Sequence, residues 1–422
     1  MRREHGFSIL EMIVSMGVML AVTGGIFAVM NPSQGTFQTQ TEVSDLQQRL
    51  RVASDTLYKD LVMGGGGAYQ GSMSGSLNYA FAAIVPFRSG AVGQDPPGTF
   101  KTDTITITYV PPTVAQTTLS DNPGNSLTNS AETKVNAEAG CPAGDLLCGF
   151  KEGMTLLIYD STGHSDTFTV TQIQDINANN VKLQHNSDKL AYEFLADCSS
   201  QPAPNPCGST KIVQAASYSY YLKTDALNKT GQLMFYDGGI GADAPVVDNV
   251  VGLTFKYYGD PQPPQLNGNP LSNTIGPWTT YGPTPPALGT QVKDHNNNAA
   301  DGWAAGENCV FKMDNGQQVP RLPVLGAGGT TTTLVELTQA MLTDGPWCPG
   351  GPNGAIGNAW DADLLRVRKV AVTIRVQSAN AALRGPASAL FTNGGTSKEG
   401  SKWLPDQQVT FSVSPRNLNL GR

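Results

Sequence analysis

The stretch MRREHGFSILEMIVSMGVMLAVTGGIFAVM, residues 1–30, decides the fold of this chain. Two arginines and a histidine precede Gly6, and an apolar run from Met12 to Met30 follows Glu11. The part from Ile13 to Met30, as a helix rising 1.5 Å per residue, extends about 27 Å, which is enough to cross a bilayer. A carboxylate in hydrocarbon costs several kcal/mol unless it has a partner. The segment therefore predicts a membrane helix with a functional acid near its beginning.

These N-terminal residues resemble the processing signal of type IV pilins and type II secretion pseudopilins. In that family a short basic leader ends in glycine, an aromatic residue follows, and glutamate is the fifth residue of the mature chain; Gly6, Phe7 and Glu11 occupy these positions. The resemblance implies cleavage after Gly6 by a prepilin peptidase and methylation of the Phe7 amine. It also implies that Glu11 pairs with the Phe7 amine of a neighbouring subunit, and opposite charges compensate each other in such a site. His5 departs from the usual basic residue before the glycine.

Two other interpretations of the segment remain open. An ordinary secretory signal also has a basic start and an apolar core. However, no small-x-small cleavage site ends this run, and Glu11 lies where such a core tolerates charge poorly. A plain signal anchor would make Glu11 incidental. All three interpretations keep Arg2 and Arg3 in the cytoplasm and export the bulk of the chain.

A second, amphipathic helical segment is predicted beyond the membrane. Asn31-Pro32 is expected to kink or locally melt the helix between the two segments. The four glycines of residues 64–67 are expected to end it. Apolar residues recur at spacings of three and four, which predicts one buried face: Val43, Leu46, Leu50, Ala53, Leu57 and Leu61.

The composition is typical of an exported, loop-rich β protein. Only 14% of the 422 residues are charged, while glycine (47) and proline (28) are frequent. The net charge of −7 and the lack of a basic patch interleaved with aromatic residues argue against a nucleic-acid partner.

Beyond residue 67, alternating apolar residues with Gly, Asn and Pro between them predict antiparallel strands. The strongest candidates are Val250–Tyr258 and Val370–Val376; others lie at residues 104–110, 154–159, 168–170, 181–183, 218–222, 233–236 and 409–413. The predicted fold class is therefore α+β: a long kinked N-terminal helix, first membrane-spanning and then amphipathic, packed on an antiparallel β-sheet head with loop-rich insertions.

The predicted organisation places loops between parts of this head. It comprises a leader peptide (1–6), the N-terminal helix (7–63, transmembrane at about 12–30), a β-rich head in two parts (64–259 and 361–422) and a loop-rich insertion or subdomain (260–360). Within the insertion, residues 331–342 are expected to form one short helix, with Leu334, Leu337 and Met341 on one face. Residues 111–150 are expected to be a second loop-rich region. Loops displayed on a sheet often bind ligands, but these loops equally suit a role as solvated decoration or subunit-packing surface.

The six cysteines fall into three short-range pairs: Cys141/Cys148, Cys198/Cys207 and Cys309/Cys348. In an oxidising compartment such pairs are interpreted as disulfides, and sequential pairing is the simplest of the possible connectivities. A metal site is a weak alternative, because no CxxC occurs and no histidine has suitable spacing to a cysteine pair.

The sequence contains no recognisable catalytic motif. The four histidines, His5, His164, His185 and His295, have no acid or nucleophile at a recognisable spacing, and GxSxG, HExxH and Walker A patterns are missing. We therefore expect neither an enzyme nor a cofactor.

A weak calcium candidate lies at Asp294, Asn296, Asn298 and Asp301, whose oxygens are suitable ligands. The EF-hand pattern fails, because Ala299 stands where glycine is needed and no glutamate closes the loop. A polar turn is the simpler interpretation.

Further segments resemble PilW-type minor pilins and the J-type minor pseudopilin: QQRLRVASDTLYKDLVMGGGG (47–67), GMTLLIYDSTGHSDTFTVTQI (153–173), SYSYYL (217–222), VVDNVVGLTFKYYGD (246–260) and VRKVAVTIRVQS (367–378). This resemblance implies a minor pilin that primes or caps type IV pilus assembly. Its implied partners are the prepilin peptidase, other minor pilins, the major pilin and the inner-membrane assembly platform.

The precursor would lie in the inner membrane with its N-terminus cytoplasmic and its head periplasmic, and would then enter the pilus, where a bulky head favours the tip. The alternatives are a type II secretion minor pseudopilin and a membrane-anchored adhesin or binding protein acting through residues 260–360.

Overall fold

The structure is a computed structural model that describes residues 8–68, 76–88, 99–112, 115–120, 127, 130–138, 140–177, 180–186, 190, 192, 194, 210–225, 230–237, 243–267, 278–291, 302–326, 333–348, 359–384 and 404–419. These residues form one long N-terminal helix, α1 (Ile9–Met63), followed by β-strands whose pairings are all antiparallel. The fold class is therefore α+β, as the sequence predicted.

Helix α1 begins after Ser8 and ends at Met63, and the amide of Gly64 closes it by donating to the Asp60 carbonyl. The predicted end at the glycine run is thus confirmed. The predicted kink at Asn31-Pro32 is not confirmed, because the helical backbone continues through these residues as one element. Although a proline removes one backbone donor, the turns on both sides keep their own hydrogen bonds.

The strands have short to moderate lengths and follow the helix along the chain. They are β1 (Ile84–Val85), β2 (Thr99–Tyr109), β3 (Gln116–Thr118), β4 (Glu132–Val135), β5 (Thr155–Tyr159), β6 (Ser165–Thr169), β7 (Gln172–Asn177), β8 (Asn180–Gln184), β9 (Lys211–Gln214), β10 (Ala216–Asp225), β11 (Thr230–Tyr236), β12 (Ala244–Asp248), β13 (Val250–Gly259), β14 (Leu266–Asn267), β15 (Trp278–Thr279), β16 (Phe311–Asp314), β17 (Gln317–Pro320), β18 (Val335–Leu337), β19 (Trp347–Cys348), β20 (Trp360–Asp361), β21 (Val367–Val376) and β22 (Gln407–Val413).

Two sheets carry the C-terminal half of α1. The first has the order β1-β2-β10-β11-β12, and the second has the order β18-β13-β21-β22. Strand β21 buries every second residue, from Val370 to Val376, against the core that α1 also contacts. The period-two pattern in the sequence therefore located the buried face of this strand correctly.

A second β-module lies between β2 and β10 in the chain. Its sheets have the orders β3-β9-β5-β6 and β4-β8-β7, and its buried side chains form their own cluster. Strand β5 serves two cores, because Leu156 and Ile158 face this cluster while Leu157 and Tyr159 face the main core. Burial on both faces explains why β5 is a continuous apolar run without alternation.

The loop-rich region predicted at residues 111–150 also contains two short strands, β3 and β4, which the sequence did not indicate. Their sequences, Gln-Thr-Thr and Glu-Thr-Lys-Val, carry almost no apolar signal. They become strands because β9 and β8 supply their backbone hydrogen bonds. Tertiary pairing thus overrides weak local preference.

Residues 260–360 contribute to the main core. The hairpin-like pairs β14/β15, β16/β17 and β19/β20 lie in or next to this segment, and Val310, Phe311 and Trp360 are buried in the main cluster. The short helix expected at residues 331–342 is wrong, because Val335–Leu337 is a strand that pairs with Tyr257–Gly259. Leu337 fills the space over Gly259, where a Cβ atom would approach its Cδ1 to 2.6 Å. An available sheet edge thus decided between helix and strand.

Two of the three expected cysteine pairs form disulfides. Cys141 joins Cys148 across a surface loop, and Cys309 joins Cys348 within the main core. Cys198 and Cys207 lie outside the described residues.

Candidate assembly site on the N-terminal helix

The first 22 residues of α1, Ile9–Met30, are long and apolar enough to cross a membrane. Their mean hydropathy is 2.2, and none of the most apolar stretch is buried within the protein. Large side chains such as Ile9 and Phe27 remain 80% and 65% exposed. Exposed apolar surface is unfavourable by about 25 cal/mol per Å². This half of the helix therefore requires a lipid or protein environment that the head does not supply.

Glu11 has a local structural role at the start of α1. The Ser8 hydroxyl accepts a hydrogen bond from the Leu10 amide at 3.3 Å, and Glu11 Oε2 accepts one from the Ser8 amide at 3.2 Å. This capping box satisfies donors that a helix start leaves unpaired, and it places a negative charge at the positive end of the helix dipole. The Ser-x-x-Glu spacing of Ser8 and Glu11 is typical of such a box, although the box was not predicted from the sequence. Gly6 and Phe7 lie outside the described residues, so the pairing of Glu11 with the Phe7 amine stays a prediction.

The second half of α1 is docked on the head. Leu46, Ala53, Leu57 and Leu61 are fully buried against the two main sheets. Val43 and Leu50 are half-buried at the margin. The predicted amphipathic face is confirmed, and Leu46 is the first fully buried residue among the helix side chains that the structure describes.

Glu42 marks the place where the docked half begins. Its Oε1 accepts hydrogen bonds from the Ser378 hydroxyl at 3.0 Å, from the Ala379 amide at 2.5 Å and from the Asn380 amide at 3.3 Å. Arg384 donates to the Ser378 carbonyl at 2.5 Å and braces the same loop. We call Glu42, Ser378, Ala379 and Asn380 the helix–head junction. No sequence signal indicated it, because the partners lie more than 300 residues apart.

Asp60 anchors the other end of the docked half. It is buried, and its carboxylate accepts hydrogen bonds from the hydroxyls of Tyr109 on β2, at 3.2 Å, and Tyr220 on β10. Burial raises the pKa of both tyrosines, and the neighbouring Asp60 carboxylate raises them further. Both phenols therefore remain protonated donors, which a buried carboxylate needs.

A cluster of carboxylates lies in the head, away from α1. Ligand atoms of Asp344, Asp361 and Asp363 lie within 4.8 Å of one another. Burial raises the pKa of Asp361, and it raises that of Asp363 to about 6. Asp361 accepts the amides of Gly345 and Asp363, and Asp363 pairs with the fully buried Arg366 at 2.5 Å. Arg366 thus already supplies a positive charge to this cluster.

The calcium candidate of the sequence, Asp294 to Asp301, lies outside the described residues.

Two of the four histidines, His164 and His185, are buried in the second β-module. His164 Nδ1 lies 2.8 Å from the Thr162 hydroxyl in the turn between β5 and β6. His185 Nε2 lies 3.0 Å from the Thr133 hydroxyl. These contacts hold a turn and a pair of strands together. His5 and His295 lie outside the described residues.

Comparison with protein-family models, with curated proteins and with solved structures finds no match for this chain. Its function therefore has to be inferred from its own residues and geometry.

Proposed function

We propose that this protein is a PilW-type minor pilin, cut after Gly6 by a prepilin peptidase, that primes or caps assembly of a type IV pilus. The observation that carries the proposal is the division of α1. An exposed apolar span with Glu11 in its first turn continues into a half that is docked on a β-rich head.

The physical argument concerns what covers the exposed span. In the membrane, lipid covers it; when the subunit leaves the membrane, equivalent apolar helices of neighbouring subunits would have to replace the lipid. A carboxylate in that apolar bundle needs a positive partner, and the free amine of a processed Phe7 on a neighbour supplies one. The charge pair would then select the axial register between subunits.

The docked half supports a subunit that moves as one piece. Glu42 and Asp60 fix the helix to the head near both ends of the contact, and four fully buried apolar residues lie between or next to them. Force applied to the membrane half is therefore transmitted to the head through a packed interface.

A type II secretion minor pseudopilin would use the same features, and its cargo and partners distinguish it. A membrane-anchored adhesin acting through residues 260–360 is the alternative of a different class. Deleting that segment does not separate assembly from adhesion, because Val310, Phe311 and Leu337 of the segment belong to the main core. Substitutions of exposed side chains, such as Leu288 and Trp347, are the appropriate test of adhesion.

Processing is tested by intact-mass measurement and N-terminal sequencing of the membrane-extracted protein, expressed with and without a prepilin peptidase. We expect a mature chain that starts at N-methylated Phe7 only when the peptidase is present. An uncut chain, or a cut beyond residue 20, would contradict the proposal.

Assembly is tested by two substitutions of Glu11. Glu11→Gln keeps an oxygen that accepts the Ser8 amide and removes the charge, whereas Glu11→Ala removes both. If the charge pair drives assembly, both variants are processed but neither enters sheared pili. Normal incorporation of Glu11→Gln would show that Glu11 acts only as a helix cap. Labelled-antibody microscopy then separates a tip position from uniform labelling of the shaft.

A further inference from the structure

A polar cleft of about 450 Å³ lies between the two main sheets, on the face of the second sheet that turns away from α1. Its floor contains Thr254 on β13 and Thr373 on β21, which are paired across the sheet. Gln408 on β22 and Arg375 on β21 form one side. The opposite side comes from the first sheet, through Asp103 on β2 and Leu222 and Thr224 on β10.

Two irregularities in strand pairing shape this cleft. The register between β2 and β10 shifts between Tyr220 and Leu222, and Asp103 lies in the bulge with a φ of 49°. The register between β13 and β21 shifts between Val250 and Gly252. Bulges turn side chains out of the regular alternation and are frequent next to binding sites. Here both bulges contribute residues to the same cleft.

Gly252 leaves room for the arginine that borders the cleft. A Cβ atom at this position would lie 3.3 Å from Arg375 Cβ and 3.4 Å from its Nε. The arginine side chain therefore lies across β13, with Nη2 3.4 Å from the Val251 carbonyl. Asp406 lies 3.8 Å from Arg375 Nε and compensates its charge.

The lining is chemically suited to a neutral ligand with many hydroxyl groups. Thr254 and Thr373 carry hydroxyls on the floor, of which the Thr373 hydroxyl also lies 3.0 Å from that of Thr410, and Gln408 is an exposed amide that both donates and accepts. Asp103 adds a negative charge, and Arg375, the one cation among the described lining residues, is already compensated by Asp406. A phosphate or carboxylate ligand would therefore gain little here. The volume falls within the range of small-molecule sites, about 300–1,000 Å³.

We propose that this cleft is a saccharide-binding site, in which the hydroxyls of Thr254 and Thr373 and the amide of Gln408 bond to sugar hydroxyls. The inference goes beyond subunit assembly and does not depend on it, because every residue of the cleft belongs to the head.

Saturation-transfer difference NMR on the full-length protein tests the proposal. The protein is held in a polyoxyethylene detergent, since a maltoside or glucoside detergent would compete for the site. The probes are glucose, galactose, mannose and N-acetylglucosamine, each titrated separately. The cleft variants are Gln408→Ala and Thr254→Val, both at exposed positions. Ser412→Ala is the matched control, because Ser412 is exposed on the same face of β22 but lies outside the cleft.

We expect at least one sugar to bind the native protein and the Ser412→Ala control equally. Removing one hydrogen-bonding group should weaken its binding about three- to ten-fold in each cleft variant. No signal from any of the four sugars, or binding that survives unchanged in both cleft variants, would overturn the proposal. Circular dichroism of each variant verifies that the head remains folded.

Discussion

Glu42, within the N-terminal helix, accepts a hydrogen bond from the Ser378 hydroxyl at 3.0 Å, although the two residues are 336 positions apart in the sequence. The same carboxylate oxygen accepts the amides of Ala379 and Asn380, which follow β21. Ser378 is fully buried, whereas large apolar side chains N-terminal to Glu42, such as Phe37, are exposed. The contact therefore lies at the boundary between the docked and the exposed halves of the helix.

Glu42→Ala should loosen the helix–head junction without unfolding the head. Loss of the acceptor leaves the Ala379 and Asn380 amides without this partner, so their hydrogen exchange should accelerate about ten-fold. Hydrogen-exchange mass spectrometry measures this change, and Thr41→Ala, at the neighbouring exposed position, is the control. Unchanged exchange in Glu42→Ala would mean that Arg384, through the Ser378 carbonyl, holds the loop by itself.

Asp60→Asn should destabilise the head by about 1–3 kcal/mol in the free energy of unfolding. The substitution replaces an acceptor of two tyrosine hydroxyls with an amide that presents a donor to one of them. Asp55→Asn on the same helix is the control. The Asp55 side chain is 71% exposed, and its Oδ2 lies 3.6 Å from Arg51 Nε. A surface ion pair of this kind contributes about 0–1 kcal/mol to stability, so its loss should have a small effect. Equal effects of the two substitutions in urea denaturation would refute a structural role for the Asp60 contacts.

Gly65→Ala should be more destabilising than Gly140→Ala, although both glycines have positive φ. A Cβ atom at Gly65 would approach Leu418 Cδ2 to 2.4 Å, whereas nothing lies within 4 Å of one at Gly140. Both variants carry the backbone strain of about 1 kcal/mol, and Gly65→Ala adds an overpacking cost of about 1–3 kcal/mol. Thermal or urea unfolding measures the difference. Similar stabilities would mean that Leu418 moves aside easily.

The stability of the head should depend on the protonation of Asp363. Burial raises its pKa from 3.8 to about 6 in the folded protein. The folded state then binds this proton more tightly than the unfolded chain, so protonation stabilises the fold as the pH falls from about 7 to 4. We expect the unfolding free energy of the native protein, relative to Asp363→Asn, to rise over this window and to be constant above it. A difference that falls on acidification would show that the Arg366 ion pair, rather than burial, controls this pKa.

Local sequence patterns were sufficient for the elements whose burial follows a regular period. The apolar spacing of α1 predicted that Leu46, Ala53, Leu57 and Leu61 face the head, and the glycines from Gly64 onward predicted its end. Alternation in β21 located its buried face. Sequential pairing of the cysteines predicted the disulfides Cys141–Cys148 and Cys309–Cys348, which are 7 and 39 residues apart.

Patterns failed where a distant partner decided the outcome. The polar strands β3 and β4 exist because β9 and β8 pair with them, and β18 is a strand because an edge of β13 was available.

The sequence by itself determined an apolar, membrane-length N-terminal segment with Glu11 near its beginning, since hydrophobicity and its period are properties of neighbouring residues. Only the tertiary structure decided which buried polar groups meet. Asp60 with Tyr220, Glu42 with Ser378, and the two bulges that shape the cleft between the main sheets join positions far apart in the chain. Hydrogen-bond partners of this kind depend on how sheets and helix pack in space, and no local pattern encodes that geometry.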